Sequence, residues 1–171
     1  MRDTLSAEQI AFYERDGFLS PIPVFPRDEV QRLRDHFEAF EQRFGVIEKA
    51  VGRRTDLHLL TDWGFDVVTD SRIVGPVTSI LGPDVLLWSM NWFIKEPDNT
   101  KFVSFHQDAN YWGLEPHDVA TAWVALSDAG VSTGPMEFIP GSHRGELYEQ
   151  HNTFEIDNLL KRKAFTAKLR D

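Results

Sequence analysis

The chain has 171 residues, of which 42% are hydrophobic, 12% aromatic and 26% charged, a balance that excludes disordered and fibrous classes and suits one globular domain spanning 1–171. Its 18 Lys and Arg against 27 Asp and Glu leave a net charge of −9, which argues against nucleic acid or an anionic membrane surface as partner and for a small-molecule substrate. Cysteine is absent, so disulfides are excluded and any metal must be held by His and carboxylates.

The opening "MRDTLSAEQI" lacks the apolar stretch of a secretory signal, and nothing in the chain is apolar for long enough to span a bilayer; the expected location is cytoplasmic. Ser6 with Gln9 three places on forms a capping-box pattern, which predicts a helix ending at Gly17. A second helix is predicted over "PRDEVQRLRDHFEAFEQRFG", where Val30, Leu33, Phe37, Phe40 and Phe44 recur at steps of three and four between Pro26 and Gly45. A third runs through "DSRIVGPVTSILG", with Asp70 as cap, Ile73, Val77, Ile80 and Leu81 as its apolar side and Gly82 as its stop.

The pattern changes near residue 85. In "VLLWSMNWFIKEP" the even positions Leu86, Trp88, Met90, Trp92 and Ile94 are apolar while Ser89, Asn91 and Lys95 share the odd face, the period of a strand. Trp88 and Trp92 are accordingly assigned to packing under the helices. Further strands are predicted over "KFVSFHQDANYW", "VATAWVALSD" and "MEFIP", with "GLEPHD" as a loop. The helical part thus covers about 1–84 and the β part about 85–171, an order that suits helices packed on one side of a β-sandwich.

Two residues apart on a strand, His106 and Asp108 would project to one face and could share an ion, with Gln107 turned away. An imidazole and a carboxylate completed by a second His form the facial triad of non-haem Fe(II) oxygenases. Spacing alone decides little, because a chain of this composition contains on the order of half an H-x-D pair by chance. A zinc hydrolase on the same two residues is disfavoured, since such sites gather more His than this neighbourhood offers.

The surrounding stretches, "WSMNWFIKEP", then "FHQDANYW", then "TAWVALSDAGVSTGPMEFIPGSHR", resemble the phytanoyl-CoA dioxygenase (PhyH) family of Fe(II)- and 2-oxoglutarate-dependent oxygenases, and "FYERDGFL" is similar to the family's opening. The resemblance implies an α+β, mainly β fold: a double-stranded β-helix (jelly roll, cupin-like) with N-terminal helices packed on one sheet. It implies that His106 and Asp108 are iron ligands and that Asn91, Trp123 and Lys95 contact 2-oxoglutarate, the cosubstrate. Tyr111 and Trp112, which follow the pair, are candidates for the substrate pocket, with core packing as the alternative use of two large aromatics. The implied reaction is hydroxylation of an unactivated C–H of a small molecule. Halogenating relatives carry a small residue in place of the carboxylate, so Asp108 implies hydroxylation rather than halogenation.

The resemblance also implies a second His and an Arg for the far carboxylate of 2-oxoglutarate, both after the Pro-Gly-Ser-His turn. His143 belongs to that turn, where the family has a His that is not a ligand, and the tail "EIDNLLKRKAFTAKLRD" lacks the expected pattern. The expectation is therefore a jelly roll with its C-terminal strands missing, truncated before the distal His and the Arg. The alternative is a non-catalytic jelly-roll remnant that binds a metabolite or a partner chain. Substrate identity and oligomeric state are not specified by the sequence.

Overall fold

The structure, a computed structural model, describes residues 4–45, 56–94, 102–145 and 147. Helix α1 spans Ala7–Asp16. The capping box is formed as its residues require: Ser6 Oγ accepts from the Gln9 amide at 3.2 Å, and Gln9 Oε1 accepts from the Ser6 amide at 2.9 Å. Gly17 ends the helix at φ 84°, and its N–H donates to Tyr13 O at 2.7 Å.

Helix α2, Arg27–Phe44, starts after Pro26 and stops at Gly45, as the spacing of its apolar residues predicts. Phe37 is buried and Val30, Leu33 and Phe40 are half-buried, while Asp28–Arg32 and Arg34–Glu38 pair at 2.7 Å along the exposed face. Phe44 lies outside this stripe and is exposed.

A 3-10 turn, Leu57–Leu59, follows Asp56, which adopts a left-handed conformation at φ 62°. Helix α3, Asp62–Thr69, packs on that turn and was not expected from the sequence. Thr61 joins the two: its hydroxyl donates to Leu57 O at 2.9 Å and accepts from the Gly64 amide at 3.2 Å. Helix α4, Ser71–Leu81, begins at the Asp70 cap and ends at Gly82, with Pro76 inside it. Arg72 ties α4 to α2, donating to Asp70 Oδ2 at 2.7 Å and to Glu29 Oε2 at 2.8 Å, and lies over the Phe25 ring. The Leu5 amide donates to Ser79 Oγ at 3.1 Å, which fastens the start of α1 to α4.

The core cluster forms where α2, the 3-10 turn and α3 meet residues 92–94. Phe37 stacks on Trp92 with ring centroids 4.5 Å apart, Trp63 meets Trp92 edge-on at 5.5 Å, and Leu57, 1% exposed, lies in the same cluster with Phe40 and Ile94. Asp56 clamps the chain just before this segment, donating its amide to Met90 O at 2.6 Å and accepting the Met90 amide on Oδ1 at 3.2 Å.

The stretches expected to pair as strands depart from that expectation. Among the described residues only isolated bridge positions, Asn91 and Phe102, occur in them, and the last four residues of "KFVSFHQDANYW" form a short helix, α5, Ala109–Trp112. Alternating polarity fixes which side chains share a face, but a ladder exists only where a neighbouring segment supplies its amides and carbonyls. The alternation succeeds in part: Trp92 and Ile94 turn to the core, whereas Trp88, assigned to the same packing, is 56% exposed and Leu86 is 98% exposed. No helix among the described residues is long and apolar enough to cross a membrane.

Candidate functional site

His106 and Asp108 come together, but not by the strand pleat that their spacing suggests. Asp108 has helical backbone angles, φ −57° and ψ −38°, and begins α5. The Asn110 amide donates to Gln107 O at 3.1 Å and the Tyr111 amide to Asp108 O at 2.9 Å, while buried Ala109 fixes the turn against the protein. The chain therefore turns at the carboxylate and swings it toward the imidazole. His106 Nε2 stands 3.1 Å from Asp108 Oδ1.

Each side chain is held from behind. His106 Nδ1 is 2.8 Å from Ser104 O, and a carbonyl only accepts, so Nδ1 carries a proton and donates it there. Nε2 is then the nitrogen that faces the carboxylate, either protonated in an ion pair or presenting its lone pair. Thr121 donates its hydroxyl to Asp108 Oδ2 at 2.7 Å, which leaves Oδ1 for Nε2. The hydrogen bond with Asp108 raises the His106 pKa above its ordinary value, with the Ser104 carbonyl adding to the effect and burial opposing it. Asp108 is lowered in turn, first by its bond with His106 and then by the Thr121 hydroxyl, again against burial.

The separation fits a cation held beside the Nε2–Oδ1 line in place of the shared proton. Two donor atoms about 2.1 Å from one ion and at right angles to each other lie about 3.0 Å apart, close to the Nε2–Oδ1 separation. Side-chain exposures of 26% for His106 and 38% for Asp108 keep the pair accessible to solvent and small ligands. Among the described residues no group of three or more His, Cys, Asp or Glu converges here or elsewhere.

The other expected site residues are placed as follows. The Tyr111 ring stands edge-on to the His106 ring, centroids 5.7 Å apart, so it packs on the imidazole itself. Trp112 is half-buried at the end of α5. Both were assigned to a strand and lie in a helical turn, because the chain bends at Asp108. Asn91 is exposed and donates to Ser89 Oγ at 3.3 Å. Trp123 is exposed, two residues along from Thr121. Lys95 and the tail from residue 148 lie outside the described residues.

Three participants were missed. Thr121 carries no motif of its own beside "AW", and only the fold brings it to Asp108. Gln107, expected only to point away from the pair, donates to Ser142 O at 3.1 Å. Arg144, given no role by the sequence, donates to Glu14 O and Arg15 O at the end of α1.

Comparison with known proteins agrees with the motifs. The model of the phytanoyl-CoA dioxygenase (PhyH) family matches residues 13–164. The peroxisomal phytanoyl-CoA dioxygenase of Homo sapiens is 26% identical over 168 residues, covering 85% of this chain and 49% of the relative. The ectoine dioxygenase of Bordetella parapertussis is 28% identical over 156 residues, covering 83% of this chain and 51% of the relative. A probable alpha-ketoglutarate-dependent hypophosphite dioxygenase of Stutzerimonas stutzeri is 30% identical over 116 residues, covering 66% and 39%. The chain spans about half the length of the first two. No solved structure matches it significantly.

Proposed function

The chain belongs to the phytanoyl-CoA dioxygenase family, and from that membership we propose that it contributes the iron-binding half-site of an Fe(II)- and 2-oxoglutarate-dependent dioxygenase that hydroxylates a small molecule. The single observation that carries this reading is the convergence of His106 Nε2 and Asp108 Oδ1 at 3.1 Å with both side chains anchored from behind. In this reading residues 1–171 form one unit of the jelly-roll fold, with segments such as 119–125 at its sheet positions.

His106 and Asp108 would hold the iron, and Asn91, Trp123 and Lys95 would contact 2-oxoglutarate. When bound, the metal and keto acid would supply the electrons that reduce dioxygen to the hydroxylating oxidant. The protein's own contribution is positional. The Ser104 carbonyl fixes the tautomer of His106, so its lone pair points outward at Nε2 once the proton leaves. Thr121 holds Oδ2 and so commits Oδ1 to the metal side. Tyr111, packed on the imidazole, restricts rotation of the ring. Tyr111 and Trp112 are further proposed to border the substrate, whose identity the family's varied chemistry leaves open.

Anaerobic addition of Fe(II) and 2-oxoglutarate to the full chain tests the reading. A visible charge-transfer band that His106→Ala removes is the expected result. Absence of any band, or its persistence in that variant, would refute the assignment.

A further inference from the structure

The last turn of a helix leaves carbonyl oxygens without partners, and at the end of α1 they are supplied from the far part of the chain. Gly17 takes Tyr13 O. His143 Nε2–H donates to Glu14 O at 3.0 Å, the Arg144 guanidinium reaches Glu14 O and Arg15 O, and the Gly141 amide donates to Asp16 O at 2.9 Å. The turn after "MEFI" thus closes the three remaining carbonyls, with a guanidinium at the negative end of the helix dipole. Gly17 is required for this approach: a Cβ there would lie 2.3 Å from His143 Nδ1 and 2.6 Å from its Cγ, and φ is +84°. Phe18 stacks on Phe138 at 4.8 Å, which brings the same two segments together a second time.

The same turn also reaches the segment that carries the candidate metal pair. Ser142 O accepts from Gln107 Nε2 at 3.1 Å, and Gln107 is the residue between His106 and Asp108. A continuous chain of contacts therefore runs from the carbonyls of α1, through residues 141–144, to the backbone from which the His106 and Asp108 side chains project. A turn serving only as a helix cap has no need of the Gln107 bond.

We propose that the Pro140–Arg144 turn, anchored on the C-terminal carbonyls of α1, is a positioning element that sets the His106–Asp108 pair through Ser142 and Gln107. The inference rests on the reading of that pair as a metal site, but its coupling is measurable without metal. His143 and Arg144 are then positioning residues acting at a distance, and His143 is committed to α1 rather than to a cation.

The test compares Gly17→Ala, Arg144→Ala, Arg144→Lys and Gln107→Met in the full chain. Amide hydrogen exchange is followed at residues 104–112 in metal-free protein, and Co(II) is titrated as a probe. Gly17→Ala and Arg144→Ala should speed exchange at 104–112 and weaken Co(II) binding by about tenfold, the scale of lost support around a ligand. Arg144→Lys, which keeps a cationic donor, should recover most of both. Gln107→Met should give the same effects at 104–112 while exchange in α1 stays as in the parent. If Gly17→Ala and Arg144→Ala loosen 141–144 but leave 104–112 unchanged, the proposal is wrong. Should Gly17→Ala fail to fold, Arg144→Ala, a change at an exposed residue, decides the matter. A parent chain that binds no Co(II) but shows the exchange coupling overturns the metal reading and supports the positioning role.

Discussion

Thr121 donates its hydroxyl to Asp108 Oδ2 at 2.7 Å across thirteen positions of sequence, a side-chain bond that bears directly on the carboxylate facing His106. It favours one orientation of the carboxylate: with Oδ2 engaged, Oδ1 is the oxygen presented to Nε2. Thr121→Val keeps the shape and deletes the donor. Co(II) affinity should fall about tenfold, with Thr121→Ser retaining most of it. Equal affinity in the parent and the Val variant, read by titration, would remove Thr121 from the support of the site.

The parts of the fold that were legible in the sequence are those fixed by local chemistry. Ser6 with Gln9, Pro26 with Gly45, and Asp70 with Gly82 mark helix ends because caps act within four residues. Helix α3 escaped notice because Gly64 and the pair Val67 and Val68 speak against a helix, and the Thr61 cap that starts it gains its force from Leu57 O on the neighbouring turn. The H-x-D spacing expects His106 and Asp108 to meet, and they do, but for a geometric reason other than the strand pleat, since Asp108 is helical and the pair closes by a bend in the chain. Thr121, Ser142 and Arg144 were invisible for another reason: each acts on a partner brought near only by tertiary folding.

Leu57 is the most enclosed large side chain described, 1% exposed and packed with Phe37, Trp63 and Trp92. Its carbonyl also accepts the Thr61 hydroxyl, so its position fixes the junction between the 3-10 turn and α3. Leu57→Ala should destabilise the protein by about 3 kcal/mol, the usual range for a buried leucine left as a cavity. A denaturant melt showing a loss under about 1 kcal/mol would mean that the cluster collapses around the missing atoms.

Gly64 lies buried in the first turn of α3, where alanine would ordinarily favour the helix. Here a Cβ would sit 2.7 Å from Thr61 Oγ1, 3.0 Å from Leu57 O and 3.1 Å from the His58 nitrogen. Two of those atoms are backbone and cannot rotate aside. Gly64→Ala should therefore cost about 2 kcal/mol through overpacking, despite the gain in helix propensity. Thermal unfolding checks the sign, and an unchanged or higher midpoint would show that α3 can lift from the turn without loss.

Asp70 links three tasks: it caps α4 by accepting the Arg72 amide at 2.8 Å, it pairs with the Arg72 side chain, and through Arg72 it reaches Glu29 on α2. The Arg72 side-chain hydrogen bond holds the Asp70 carboxyl below its ordinary range against the opposing effect of burial, and the Arg72 amide and charge add smaller effects in the same direction as the bond. Folding thus lowers this pKa, so the unfolded chain binds more protons near pH 4 and stability rises with pH there. The contribution is fully present above the unfolded value and disappears as pH falls through the folded one. Asp70→Asn keeps an acceptor for the cap but not the charge, and should flatten this part of the acid limb while leaving α4 in place. Asp70→Ala loses the cap as well and should cost about 1 kcal/mol at neutral pH. Denaturant melts of the parent and both variants from pH 3 to 7 measure these effects; parallel curves for the parent and Asp70→Asn would show that the Asp70–Arg72 pair contributes nothing to the acid sensitivity of the fold.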